Sequence, residues 1–240
     1  MDTLHLAAPK PRMIAHRGLS GIELENTCSA FVAAGNRSYF GIETDVHRTA
    51  DGQFIIIHDD DTQRVSGDRM AVEETSFDTL RALQLQDRDG QRGRKDLMLP
   101  TLREYIQICK KYEKTAVLEL KNHLEEEDIW RIIAIIREEE YLPRVIFISF
   151  DLANMICVRR LLPEQKAQYL IEVRVPDDLV DTLKTYRLDL DIHHRLLTPA
   201  LSEACKREHI EINVWTVNTP EDARRCIELG VDYITTNILE

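Results

Sequence analysis

The chain has 240 residues, 43% hydrophobic and 30% charged, a composition that fits one large globular domain (read as 1–240) and is short for two full domains. A net charge of −11 and a pI near 5.3 set a field that repels nucleic acid and anionic membrane surfaces. No window reaches the ~18 apolar residues of a membrane span, so neither a nucleic-acid partner nor stable membrane insertion is expected.

In chain order, Met1 to Arg12 carries Asp2, His5, Lys10 and Arg12 and no apolar stretch long enough for a signal peptide. A short apolar run, Met13 to Ala15, ends in His16-Arg17-Gly18, and Glu25-Asn26-Thr27 precedes a helix over Cys28 to Ala34. A second strand, Gly41 to Val46, carries Glu43 and Asp45. The next apolar run, Phe54 to Ile57, follows too soon for a parallel crossover, which needs roughly a dozen residues. The Asp51-Gly52 pair between them is a hairpin signal. Residues 47–60 therefore read as a hairpin in the loop after strand two, with His58 draped over the mouth of the sheet. Asp60 to Leu99 is irregular, with one short amphipathic piece near Phe77 to Leu85. Within it Asp87 to Asp96 is almost entirely polar, either a solvated loop or a basic flap that draws in an anion.

From residue 101 onward strands and helices alternate. Strands are expected over Ala116 to Leu120, Val145 to Ser149, Ala167 to Ile171, Leu188 to Ile192, Ile212 to Val217 and Tyr233 to Thr235, apolar runs typical of strands covered on both faces. Helices are expected over Glu125 to Glu140, Leu152 to Leu161, Pro176 to Thr185, Pro199 to Glu208 and Pro220 to Glu228, three opened by proline and the last stopped by Gly230. With the two earlier strands the count is eight, and strict βα alternation over this length implies an α/β fold, a closed (β/α)8 TIM barrel with a small β-hairpin after strand 2. The five cysteines (Cys28, Cys109, Cys157, Cys205, Cys226) form no C-x-x-C pair and fall in helices. They read as reduced, buried thiols of a cytoplasmic protein.

The polar groups at the strand ends need a reason, because buried charge is costly unless paired or metal-bound. Glu43 and Asp45 are two apart, so they share a strand face. At the mouth of a barrel they repel unless a cation intervenes, and Mg²⁺ or Ca²⁺ suits such oxygen ligands. Glu119 and Lys121 repeat that spacing: the carboxylate can complete the metal site and the ammonium can hold a phosphate oxygen. The same two residues also read as a structural ion pair. His16 and His58 are the natural acid/base pair near neutral pH, and Arg17 offers a planar fork for phosphate. Gly18 would let the backbone approach the substrate. Trp215 either walls the pocket or packs in the core, and His193-His194 either lines the mouth or packs behind it.

Together Ala15-His16-Arg17-Gly18, Glu25-Asn26-Thr27, Glu43-x-Asp45, Asp51-Gly52 and His58-Asp59 resemble the signature of the glycerophosphodiester phosphodiesterase family. The likeness continues through Leu99-Pro100-Thr101-Leu102, Leu118-Glu119-Leu120-Lys121, Ser149-Phe150, residues 214–218 and residues 230–235, spanning nearly the whole chain in order. The resemblance implies a TIM barrel, one divalent cation (Mg²⁺ or Ca²⁺) and hydrolysis of glycerophosphodiesters to glycerol 3-phosphate and an alcohol; of the two nucleophiles open to it, water and the neighbouring glycerol hydroxyl, it favours the hydroxyl, through a cyclic phosphate. It implies His16 and His58 as the acid/base pair, Glu43, Asp45 and Glu119 as metal ligands, and Arg17 and Lys121 as phosphate contacts. Leu24 and Asn237 depart from the family pattern, where proline and aspartate are usual. Two alternatives remain: a lysophospholipase D on the same barrel, which would want an exposed apolar rim, and a barrel that only binds phosphodiesters.

Overall fold

The computed structural model describes residues 2–7 and 10–240; Met1, Ala8 and Pro9, in the segment read as lacking a leader, lie outside them. The element order is β1 (Arg12–Ala15), α1 (Cys28–Gly35), β2 (Gly41–Arg48), β3 (Phe54–Ile56), α2 (Gln63–Ser66), α3 (Phe77–Arg81), α4 (Leu102–Lys111), β4 (Thr115–Leu120), α5 (Glu126–Glu138), β5 (Val145–Ser149), α6 (Leu152–Leu161), β6 (Ala167–Ile171), α7 (Leu179–Tyr186), β7 (Asp189–His193), α8 (Pro199–Arg207), β8 (Ile212–Trp215), α9 (Pro220–Glu228) and β9 (Tyr233–Thr236).

Eight parallel strands run β1-β9-β8-β7-β6-β5-β4-β2, and β1 also pairs with β2, so the sheet closes. This is the expected (β/α)8 barrel. Inside it Ile14, Val117, Ile146, Ile148 and Leu170 pack with Tyr233. A larger core seats the helices outside, through residues such as Phe31, Tyr105, Ile132 and Met155. Side chains alternate along each strand, so each apolar run serves both cores.

The hairpin is present, but its first arm is β2 itself. That strand continues to Arg48 and pairs antiparallel with β3 (Val46 opposite Ile56, Arg48 opposite Phe54), with Gly52 at φ +73° in the turn. Extending β2 leaves no separate first strand to form. Residues 60–99 are less irregular than expected: they hold α2, α3 and a small core of Ile57, Val65, Val72, Leu80, Leu85, Leu97 and Leu99 on Ile55.

Two helical expectations need correction. The sequence reading omitted α4, although Thr101 and Glu104 form a capping box at its start, a signal visible in the Thr-x-x-Glu spacing. Pro199 and Pro220 open α8 and α9, but Pro176 does not open α7. Its carbonyl accepts from the Leu179 amide at 3.2 Å in a turn that precedes the helix. All five cysteines lie in helices, four buried and Cys28 half-buried. Burial pushes the Cys28 thiol up to about 11.

Candidate active site

The strand register places Asp45 of β2 opposite Glu119 of β4, and Glu43 shares the inward face of Asp45. One carboxylate oxygen from each of Glu43, Asp45 and Glu119 lies within 4.8 Å of the others, and all three residues are buried. Burial, then Asp45 and Glu119, drive the Glu43 carboxyl well above its ordinary range. Burial, then Asp45, push Glu119 up to about 8. At Asp45 burial opposes ionisation, but Arg17 and Lys121 outweigh it and hold the carboxyl at about 2. Carboxylates crowded in this way need positive charge among them. Lys121 supplies part of it, with Nζ 3.0 Å from Glu119 and 3.7 Å from Asp45. Asp45 Oδ1 nevertheless stays buried without a hydrogen-bond partner. An all-oxygen donor set with an orphaned carboxylate oxygen fits a hard divalent cation.

Arg17 sits in the left-handed region (φ +54°), uncommon for a residue with a side chain. That turn aims its amide at Glu43 Oε2, 2.8 Å away. Its Nη1 pairs with Glu25 at 2.8 Å, and its buried Nε lies 3.7 Å from Asp45 Oδ2 without a hydrogen bond. Gly18 answers to packing rather than to substrate: at φ +76°, a Cβ there would lie 2.7 Å from Ala30 of α1. In the Glu-Asn-Thr triplet each residue has its own task. Glu25 binds Arg17, Asn26 donates to Asp45 Oδ2 at 2.7 Å, and Thr27 caps α1.

Both predicted histidines reach this site. His16, just past β1, shares a 2.7 Å hydrogen bond from Nδ1 to Asn237 Oδ1. Asn237 Oδ1 also accepts from Ser20 Oγ at 3.0 Å. Burial, then Arg17, bring the His16 imidazole down to about 4. His58, just past β3, has Nδ1 2.7 Å from Asp59 Oδ1, and burial lowers its imidazole too. Its carbonyl lies 3.3 Å from Nε2 of the fully buried His47, a residue with no predicted role.

A cavity of about 360 Å³ opens over these groups. His16, Arg17, Glu43, His58, Glu119 and Lys121 line one side, and Ile148, Phe150, Leu170 and Trp215 the other. Trp215 therefore walls the pocket, edge-on to Phe150 (5.7 Å between ring centres) and to His193 (5.5 Å). His193 backs that indole. His194 packs away from the mouth, with its carbonyl 2.7 Å from Arg225 Nη2. A larger groove of about 710 Å³ at the opposite end of the barrel, beside Arg12 and Tyr233, is lined by no histidine, so size alone does not mark the site.

The basic-flap alternative for residues 87–96 is not what the arginines do. Arg88 donates to the Gly21 carbonyl, Arg92 pairs with Asp68, and Arg94 pairs with Glu23 and Asp96. None of the three lines the cavity of His16. Three contributors escaped the sequence reading. Asn237 was seen only as a departure, and Arg64, which binds Glu25 and Asp59, carried no local signal. Asp191 of β7 lines the cavity fully buried, with Oδ1 unpaired; burial pushes its carboxyl up to about 8.

A model of the Glycerophosphoryl diester phosphodiesterase family matches residues 16–240. A glycerophosphodiester phosphodiesterase of Caldanaerobacter subterraneus is 29% identical over 234 residues, covering 95% of this chain and 94% of that one. An Oleispira antarctica phosphodiesterase, solved in complex with the product sn-glycerol 3-phosphate, is 26% identical with a TM-score of 0.86, covering 95% and 93% of the two chains. A Thermotoga maritima glycerophosphodiester phosphodiesterase is 26% identical with a TM-score of 0.78 and 96% coverage of each chain. A family match over nearly the full length, on a barrel of the same shape, settles membership: the chain belongs to the glycerophosphoryl diester phosphodiesterase family and is a phosphoric diester hydrolase.

Proposed function

We propose that residues 1–240 act as one catalytic domain that hydrolyses small-molecule glycerophosphodiesters to glycerol 3-phosphate and an alcohol, with His16 and His58 as the acid/base pair. The observation that carries this reading is that two imidazoles line the same side of one cavity as Glu43 and Glu119 of the three clustered carboxylates. Glu43, Asp45 and Glu119 would hold Mg²⁺ or Ca²⁺. When bound, such a cation supplies positive charge against the charge that develops on the phosphoryl oxygens. Arg17 and Lys121, which both line the cavity, grip the phosphate.

The two imidazoles differ in their partners, and this difference supports a division of roles. His16 donates Nδ1–H to a neutral amide, which leaves Nε2 as a free lone pair and supports an imidazolium less than a carboxylate would. It takes the proton from the attacking oxygen as the new P–O bond forms. His58 has a carboxylate on Nδ1, which stabilises the imidazolium. It gives its proton to the departing alcohol oxygen as the old P–O bond breaks. Trp215 and Phe150 wall the side on which an alcohol can lie. Their apolar face, with Phe150 40% exposed, favours one second reading, an alcohol with an apolar chain such as a lysolipid. No helix among the described residues is long and apolar enough to cross a membrane. The buried thiols support a reducing, cytoplasmic setting. The deciding experiment is a metal-supplemented assay on glycerophosphocholine, glycerophosphoethanolamine and a lysolipid, with EDTA as control. Turnover of none of them overturns the reading.

A further inference from the structure

Arg64 lies outside the cavity, yet its guanidinium grips two carboxylates at once. Nη1 and Nη2 donate to Glu25 Oε2 and Oε1 at 2.8 and 2.9 Å, while Nε and Nη2 donate to Asp59 Oδ2 and Oδ1 at 2.6 and 2.9 Å. Each carboxylate in turn holds a residue of the site: Asp59 the Nδ1 of His58 at 2.7 Å, and Glu25 the guanidinium of Arg17 at 2.8 Å. The chain Arg17–Glu25–Arg64–Asp59–His58 thus joins the loop after β1 to the loop after β3.

The mounting of Arg64 is rigid for its place on the surface. Its neighbour Val65 and the neighbour of His58, Ile57, are buried in the same small core with Val72, Leu80, Leu85, Leu97 and Leu99. Both side chains therefore spring from one packed unit, and the distance between their backbones is fixed by that packing. The Arg64 side chain is 47% exposed, and ion pairs this exposed contribute little to global stability. A fork that satisfies two carboxylates through four N–H···O bonds is instead a geometric device, one that a lysine's point charge does not reproduce.

We propose that Arg64 is a positioning residue: it fixes the Asp59 carboxylate, and through it the orientation of the His58 imidazole, with Glu25 as the anchor that keeps its fork in plane. Without it Asp59 is free to rotate away and His58 loses the partner that presents Nε2 to the departing oxygen. This rests on the reading of His58 as the acid. The first measurement therefore compares wild type with His58→Ala on glycerophosphocholine, and a fully active His58→Ala overturns that reading alone.

The test proper uses Arg64→Lys, Arg64→Met and Asp59→Asn on the metal-loaded enzyme, with two substrates. One is glycerophosphocholine, whose choline oxygen needs a proton to leave; the other is the p-nitrophenyl ester of glycerol phosphate, whose leaving group does not. On glycerophosphocholine the expected result is a loss of kcat of about 10-fold or more with KM changed less than about threefold, the scale of a weakened acid contribution. On the nitrophenyl ester the loss should shrink to about twofold or less, since protonation no longer matters there. Arg64→Lys should recover little, and adding Arg64→Met to Asp59→Asn should cost nothing further, as for residues acting in series. Melting temperatures check that each variant is folded. Equal losses on both substrates, full activity of Arg64→Met, or additive losses with Asp59→Asn would each overturn the proposal.

Discussion

His16 Nδ1 and Asn237 Oδ1 stand 2.7 Å apart at the seam where the first strand meets the last. An amide oxygen accepts and does not donate, so the ring proton is held on Nδ1 and the lone pair points from Nε2. The partner is uncharged, and burial followed by Arg17 brings the imidazole down to about 4.

Asn237→Asp should raise the His16 imidazole by about 1–2 pH units, the usual effect of an adjacent opposite charge. As the proposed base His16 must act deprotonated, so the acid limb of kcat/KM on glycerophosphocholine should move to higher pH in the variant. A pH profile at saturating metal reads this directly. A limb that stays in place removes His16 from the role of base.

His16→Ala and His58→Ala should each lower kcat on glycerophosphocholine by about 10²-fold or more. They separate on a substrate with a good leaving group. His58→Ala should be largely rescued by the p-nitrophenyl ester, while His16→Ala should stay inactive because the attacking oxygen still needs its proton removed. Rescue of His16→Ala instead would exchange the two assignments.

Metal removal links activity to stability. EDTA should abolish turnover, and Mg²⁺ or Ca²⁺ should restore it. In the metal-free protein burial and Asp45 raise the Glu119 carboxyl to about 8 from an ordinary 4.5. The folded state then holds a proton that the unfolded chain has released, so metal-free stability falls as pH rises from about 4.5 towards about 8. A cation held by these carboxylates would replace that proton. The rise in melting temperature on adding metal should therefore be larger at pH 8 than at pH 5, as scanning fluorimetry would show. Equal rises would separate the cation from these carboxylates.

Asp191 gives stability a second pH dependence, separate from that of the three clustered carboxylates. Burial lifts its carboxyl from 3.8 to about 8, so its contribution also favours folding at low pH and is lost as pH rises through that window. Asn keeps an acceptor for the Asn213 side-chain amide, which now donates at 3.2 Å, and carries no charge. Asp191→Asn should raise the melting temperature by several degrees at pH 8–9, at about 2–4 °C per kcal/mol in a domain of this size. At pH 4 it should change little. A variant less stable at both pH values would point to a packing role in place of a buried, uncharged acid.

The closed barrel was legible in the sequence because its cause is periodic: apolar strands alternating with capped helices allow few other architectures. The placement of Glu43, Asp45, Glu119, Lys121, His16, His58, Arg17 and Trp215 in one region was legible because each sits within or just past an apolar strand, where an unneeded polar or aromatic group is conspicuous. Which residue touches which was not legible. Asn237 meets His16 only because the last strand closes on the first, 221 residues apart in sequence. Arg64 looks like any surface arginine until a small core of residues 55–99 sets it beside Asp59 and Glu25. The basic stretch from 87 to 96 looked like a lure for anions until the fold gave its arginines to Gly21, Glu23, Asp68 and Asp96. Residue type and spacing along one element are local properties that the chain carries by itself. The partners that set a proton's place or neutralise a charge come from distant elements, and only closure of the sheet and packing of the insertion bring them within hydrogen-bonding distance.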